Sequence, residues 1–190
     1  MTNLERNYHA DLSQQKEFNT LLTEIDTAIG WEEASLLNPT VIIRGEINRE
    51  IAEHMFRLKR HLDLTSHPRL ELLQENNLHP EEKRKMGKVW GDAFLSRDIP
   101  QGRIRISPKH LAERVNEKLK KTEVPVYPIG GIVAHEYFHI WQFINNPLKM
   151  QRDLAVINRR SGWEEAWICT DTEVSATEFE RYWIENWMDH

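Results

Sequence analysis

Residues 129–144 read Ile-Gly-Gly-Ile-Val-Ala-His-Glu-Tyr-Phe-His-Ile-Trp-Gln-Phe-Ile, and this run constrains the fold more than any other stretch of the chain. Ile129, Ile132, Val133, Ile140, Phe143 and Ile144 recur at spacings of three and four, the period of an α-helix. Tyr137, Phe138 and Trp141 cover the remaining sides. A helix that is apolar all round must be surrounded by other elements, so the rest of the chain is expected to wrap it. Set into its middle are His135, Glu136 and His139, in the arrangement H-E-x-x-H. Polar side chains carried into a core need partners there.

In a helix, His135 and His139 lie one turn apart on one face, with Cβ atoms roughly 5–6 Å apart. Two imidazoles so placed can each bring a ring nitrogen to about 2.0–2.1 Å from one zinc ion. Glu136 is one residue, about 100° of turn, from His135. It borders the same face without being a ligand and can take a proton from a water activated by the metal. With 9 His in 190 residues, the motif arises by chance in about one such chain in twenty. Its setting therefore decides: a polar triplet inside a helix built for burial favours a metal over two core histidines satisfied by backbone or carboxylate groups.

Hydrophobic content of 39%, charged content of 29% and a net charge of −5 describe an ordinary globular chain, for which one domain over 1–190 is expected. The mildly acidic balance points to neither nucleic acid nor an anionic membrane. Two basic stretches, Arg57–His61 and Lys118–Lys121, are short and flanked by acids, and read as solvated helix faces. A lone cysteine, Cys169, excludes an intramolecular disulfide and a Cys-based zinc site. Met1–Thr20 carries no apolar signal core. No run approaches the length of a membrane-spanning helix, so no membrane segment and a cytoplasmic location are expected. Nothing bears on oligomeric state.

Residues 1–85 read as a mostly helical N-terminal part. A helix over 3–29 stops at Gly30, Thr40–Ile43 is a short β-branched strand after Pro39, and a helix follows from Glu46 to Leu62. His67-Pro68 breaks the chain before another short helix through Leu70, Leu72, Leu73 and Leu78. Residues 89–107 read as a β-hairpin turning at Arg97–Gly102. Its second arm alternates Arg103 and Arg105, facing out, with Ile104 and Ile106, facing in. Ser107-Pro108 starts a helix, with Ser as N-cap. Val124–Pro128 links to the apolar helix, Asn145-Asn146-Pro147 ends it, and Leu148–Asn158 is a further helix. The fold class expected is α+β and mostly helical, with a small antiparallel sheet whose edge strand packs on the buried helix.

A catalytic zinc site takes three protein ligands and leaves a position for water. Without cysteine, the third is His, Asp or Glu. Thr170, Asp171 or Thr172 can cap a helix that puts Glu173 in its first turn, and Ala176 is small enough to let that helix lie against the H-E-x-x-H helix. Glu178, Glu164, Glu165 and Glu180 compete for the role. Glu178 or Asp171 can instead hold a ligating imidazole from behind.

H-E-x-x-H followed by a helical E-x-x-A-x-x-F, here Glu173, Ala176 and Phe179, resembles the gluzincin branch of zinc metallopeptidases, most closely the minimal ImmA/IrrE-like and minigluzincin types. The resemblance covers residues 89–187. It implies zinc held by His135, His139 and Glu173 in a metallopeptidase core over 86–190, with Glu136 as general base. It also implies a hairpin edge strand that binds the backbone of a peptide or protein substrate. The thermolysin-type E-x-x-x-D is absent, since position 177 is Thr, and so is the metzincin extension after His139.

Hydrolysis also needs a donor for the oxyanion. Tyr182, on the third-ligand helix, is the candidate, with Tyr127 and Tyr137 as alternatives. Arg103 and Arg105 beside the edge strand would favour acidic substrates unless they are simply a solvated strand face. A fourth protein ligand would point instead to a non-catalytic, metal-stabilised binding or regulatory protein.

Overall fold

The computed structural model describes residues 3–31, 41–73, 91–96, 99–120, 129–158 and 170–187. In chain order the elements are α1 (Asn3–Ile29), α2 (Val41–His61), β1 (Arg69–Leu72), β2 (Gly91–Ser96), β3 (Ile99–Ile106), α3 (Pro108–Lys120), α4 (Ile129–Asn145), α5 (Pro147–Asn158) and α6 (Asp171–Trp187). The fold is α+β and mostly helical, as the sequence led us to expect. No described helix is long and apolar enough to cross a membrane.

α1 buries Leu21, Ile25 and Ile29 along one stripe and ends at Gly30, whose φ of 53° lies in the left-handed region. Of the strand expected at 40–43, residues 41–43 instead form a helical turn at the start of α2, with Val41 and Ile42 exposed, and residue 40 lies outside the described residues. The reason lies one turn on. Arg44 and Asn48, four residues apart on one helical face, both donate to Asp26 of α1, at 2.7 Å from Arg44 Nε and 2.8 Å from Asn48 Nδ2. That fork requires helical spacing, and it outweighs the few tenths of a kcal/mol by which each β-branched residue disfavours helix. Ile47, Ile51, Met55 and Leu58 then face the core.

The sheet is mixed rather than wholly antiparallel, in the order β1-β3-β2. β2 and β3 form the expected hairpin, with Asp92 opposite Arg105 and Phe94 opposite Arg103. β3 already begins at Ile99, within the stretch 97–102 expected to turn, and residues 97 and 98 lie outside the described residues. The third strand, β1, runs parallel to β3 and pairs Leu70 with Ile104 and Leu72 with Ile106. A helix was expected there, because Leu70, Leu72 and Leu73 fit either period over so short a run. The alternation of charge settles it: Glu71 lies 3.0 Å from Arg69 and 3.6 Å from Arg103 on the outer face, while Leu70 and Leu72 are buried.

Ser107 caps α3, its carbonyl accepting from His110 and Leu111. α4 is the hub, with the hairpin against one side and α2 and α6 against others. Two glycines permit these approaches. A Cβ on Gly102, where φ is 80°, would stand 2.6 Å from Ile140 Cδ1, and one on Gly131 would stand 2.8 Å from Ile184 Cδ1. Ile129, Val133, Tyr137 and Ile140 of α4 are nearly inaccessible and join one continuous core with side chains of α1, α2, β1, β3, α3 and α6.

Candidate metal centre

Where α4 meets α6, the side chains of His135, His139 and Glu173 converge. Thr170 is the cap that begins α6, its hydroxyl accepting from the Glu173 amide at 3.2 Å, and this places Glu173 in the first turn. Fully buried Ala176, one turn on, lets the two helices close. The Nε2 atoms of the histidines stand 3.1 Å apart. Glu173 Oε1 is 3.2 Å from His135 Nε2, and Glu173 Oε2 is 3.2 Å from His139 Nε2. A tetrahedral zinc ion with ligand bonds near 2.05 Å has ligand–ligand edges of about 3.3 Å. The two imidazole nitrogens and the carboxylate are therefore spaced as neighbouring ligands of such an ion.

Their far sides are held as well. His135 Nδ1 lies 3.1 Å from Glu180 Oε2, and His139 Nδ1 lies 2.9 Å from Gln142 Oε1. Gln142 Nε2 donates to the Thr172 carbonyl at 3.0 Å and to Ser175 Oγ at 2.9 Å. This fixes the amide orientation, because turning it over would set two acceptors face to face. Gln142 Oε1 is then an acceptor and His139 Nδ1 the donor. Glu180, a carboxylate, assigns the same tautomer to His135. Both Nε2 atoms consequently point at each other and at a carboxylate. Two imidazole nitrogens and a carboxylate so close repel one another unless a proton or a metal ion lies among them, and that is the fit of this donor set to a metal. Among the described residues no fourth His, Cys, Asp or Glu joins the three.

The electrostatics agree. Burial works against a charge on His135, yet hydrogen bonds to Glu173 and Glu180 raise its pKa to about 10. Burial likewise opposes the charge on Glu173, but the two imidazoles lower its pKa to about 2. The site stabilises positive charge at the place where Glu173 faces the histidines. Glu136 differs from both. Burial, only partly offset by His135 and reinforced by Asp92, Glu173 and Glu180, raises its pKa to about 8. Its Oε2 is buried without a hydrogen-bond partner.

Of the other candidates, Glu178 is exposed, and Asp171 faces solvent 3.5 Å from Lys149. The residue behind His135 is Glu180, not Glu178 or Asp171. Seven residues from Glu173 is two turns on the same face, a spacing that the sequence does carry. Gln142, at i+3 from His139, and Asp153 of α5, which accepts from the Thr172 hydroxyl and amide, were not foreseen at all. A polar residue one turn after the second histidine was the only available sign. Tyr182 is not brought to the centre. Nine residues beyond Glu173 is two and a half turns, so it leaves the opposite flank of α6, 44% exposed and close to His61 and Phe179. Tyr137 is fully buried and turned the other way, its hydroxyl 3.1 Å from His67 Nδ1. Tyr127, Glu164 and Glu165 lie outside the described residues. Arg105 donates to Asp92 at 2.7 Å and Arg103 neighbours Glu71, so neither is simply a solvated cation. Phe179 stacks on Phe138 at 4.6 Å and packs α6 onto α4.

The chain matches no protein-family model, no curated protein and no solved structure.

Proposed function

We propose that the protein is a zinc-dependent metallopeptidase, in which His135, His139 and Glu173 hold the ion and Glu136 is the general base. One observation carries this reading: two Nε2 atoms and a carboxylate converge at 3.1–3.2 Å, with both Nδ1 atoms already engaged by Glu180 and Gln142. Three ligands from two helices, with no fourth among the described residues, are the set of a catalytic rather than a closed structural site. When bound, zinc supplies a Lewis acid that polarises a carbonyl and lowers the pKa of water toward about 7.

The protein's own part is proton handling and placement. Glu136 Oε2, buried and without a partner, has a free acceptor position for a proton from water. Burial raises its pKa, which makes the carboxyl a stronger base for that proton, and it can return the proton to a leaving amine. Glu180 holds the His135 ring, and Gln142 holds His139. β2, at the edge of the sheet beside α4, offers backbone groups to an extended peptide. No described tyrosine faces the centre as an oxyanion donor.

Metal analysis and turnover test the reading. Wild-type protein should carry one equivalent of zinc and cleave fluorescein-labelled casein. Glu136→Gln should retain the zinc and lose at least about 100-fold in rate, and Glu173→Ala should lose most of the zinc. Full activity in Glu136→Gln, or unchanged zinc content in Glu173→Ala, would overturn it. Zinc bound without turnover in the wild type would favour a non-catalytic binding or regulatory protein.

A further inference from the structure

We infer that Gly91 is a positioning residue for the Glu136 carboxyl: the side chain missing from the first residue of β2 leaves the space that this carboxyl fills. A Cβ built on Gly91 would stand 3.1 Å from Glu136 Oε1 and 3.2 Å from Glu136 Cγ, both tighter than ordinary contact. It would also stand 3.0 Å from the carbonyl of Arg105, in the strand alongside. Gly91 pairs with Ile106, and Ala93, next on the same face, pairs with Ile104. Ile104 and Ile106 are fully buried, so the position lies on the core face of the sheet, where an apolar side chain would be the ordinary choice. Its φ is not in the left-handed region, so backbone conformation gives no reason for glycine. The space does. Glu136 is 5% exposed, with its Oε1 against Gly91 and its Oε2 unpartnered. The strand thus acts as a stop for one oxygen and leaves the other free. Adding a methyl group would push the carboxyl off this stop, because the strand backbone, hydrogen-bonded to β3, cannot easily retreat.

This inference rests on the hydrolase reading for its catalytic meaning but not for its steric content, and the two are tested separately. In the first experiment, Gly91→Ala is compared with wild type in casein hydrolysis at equal zinc content. Displacing a catalytic group by a fraction of an ångström to one ångström costs up to about 100-fold. We expect that loss to fall on kcat, with KM and zinc stoichiometry unchanged; a kcat within twofold of wild type would overturn the inference. The second experiment needs no substrate. Overpacking should lower the melting temperature of Gly91→Ala by roughly 2–10 °C. With Glu136→Ala already in place, Gly91→Ala should cost less than half as much, because Oε1 and Cγ are gone. An equal loss in both backgrounds would assign the glycine to the Arg105 carbonyl alone and overturn the inference even if the protein proves to be a hydrolase. If the wild type has no activity, this coupling still decides whether Gly91 sets the Glu136 carboxyl.

Discussion

Gln142 joins the second histidine to the helix that carries Glu173. Its Oε1 fixes the His139 tautomer, and its Nε2 reaches the first turn of α6 at Thr172 and Ser175. Removing such an outer partner typically weakens metal binding 10–100-fold. Gln142→Ala is therefore expected to raise the zinc Kd by about that factor, measured by competition with a chromophoric chelator. Glu180→Ala should do the same through His135. Gln142→Glu keeps the acceptor for His139 but loses the donor to Thr172, so it should fall between wild type and alanine. An alanine variant with wild-type affinity would mean that the rings are held by packing alone. The sequence disclosed the His135, His139 and Glu173 cluster because H-E-x-x-H and a capped helical glutamate are local patterns. It did not disclose their supports. Glu180 and Gln142 matter only because two helices cross at a particular depth and rotation, set in part by Ala176 and Gly131, and no local pattern encodes that crossing. Tyr182 misled for the same reason: sharing a helix with Glu173 says nothing until the nine-residue offset is turned into an angle.

At the level of elements, punctuation was legible and short β-branched or leucine-rich runs were not. Gly30, Ser107-Pro108 and Asn146-Pro147 mark boundaries through backbone chemistry that holds in any context. Val41–Ile43 and Leu70–Leu73 take their conformation from partners elsewhere in the chain. The first became helix because Asp26 binds two residues one turn apart, and the second became strand because β3 presents a matching edge. α2 also contains a residue that no packing explains. Gly45 lies in the helix, exposed, and a Cβ there would meet nothing within 4 Å. Gly45→Ala should stabilise the protein by roughly 0.5–1 kcal/mol, or about 2–4 °C of melting temperature per kcal/mol, with zinc affinity unchanged. A fall in melting temperature would show that α2 is held in a conformation alanine does not accept there.

Across the whole molecule, α2, α4 and α6 meet at His54. Its ring is 7% exposed, its Nδ1 accepts from Trp183 Nε1 at 3.1 Å, and its Nε2 occupies the space where a Cβ on Gly130 would stand. Burial first, and then the nearby Arg57, lower its pKa to about 4, while Trp183 and Gly130 bring no charge to offset them. The native state thus holds this histidine neutral, and the unfolded chain protonates it at its ordinary value of 6.5. Above pH 6.5 neither state binds the proton, and the His54 contribution to stability is complete. As the pH falls from 6.5 toward 4 only the unfolded chain takes it up, and the contribution is lost, by about 3 kcal/mol in all. Below pH 4 both states are protonated and the loss stops growing. Glu17 and Asp26, held below the ordinary carboxylate range by Lys59 and Arg44, also titrate in acid, so the test is a difference. Urea unfolding of wild type and His54→Gln, a neutral replacement that can still accept from Trp183, is followed from pH 7.5 to 4 with excess chelator. The stability advantage of the wild type should shrink by about 3 kcal/mol across that range, nearly all of it below pH 6.5. A constant difference would mean that His54 is protonated in the folded protein and that the junction of the three helices tolerates a charge.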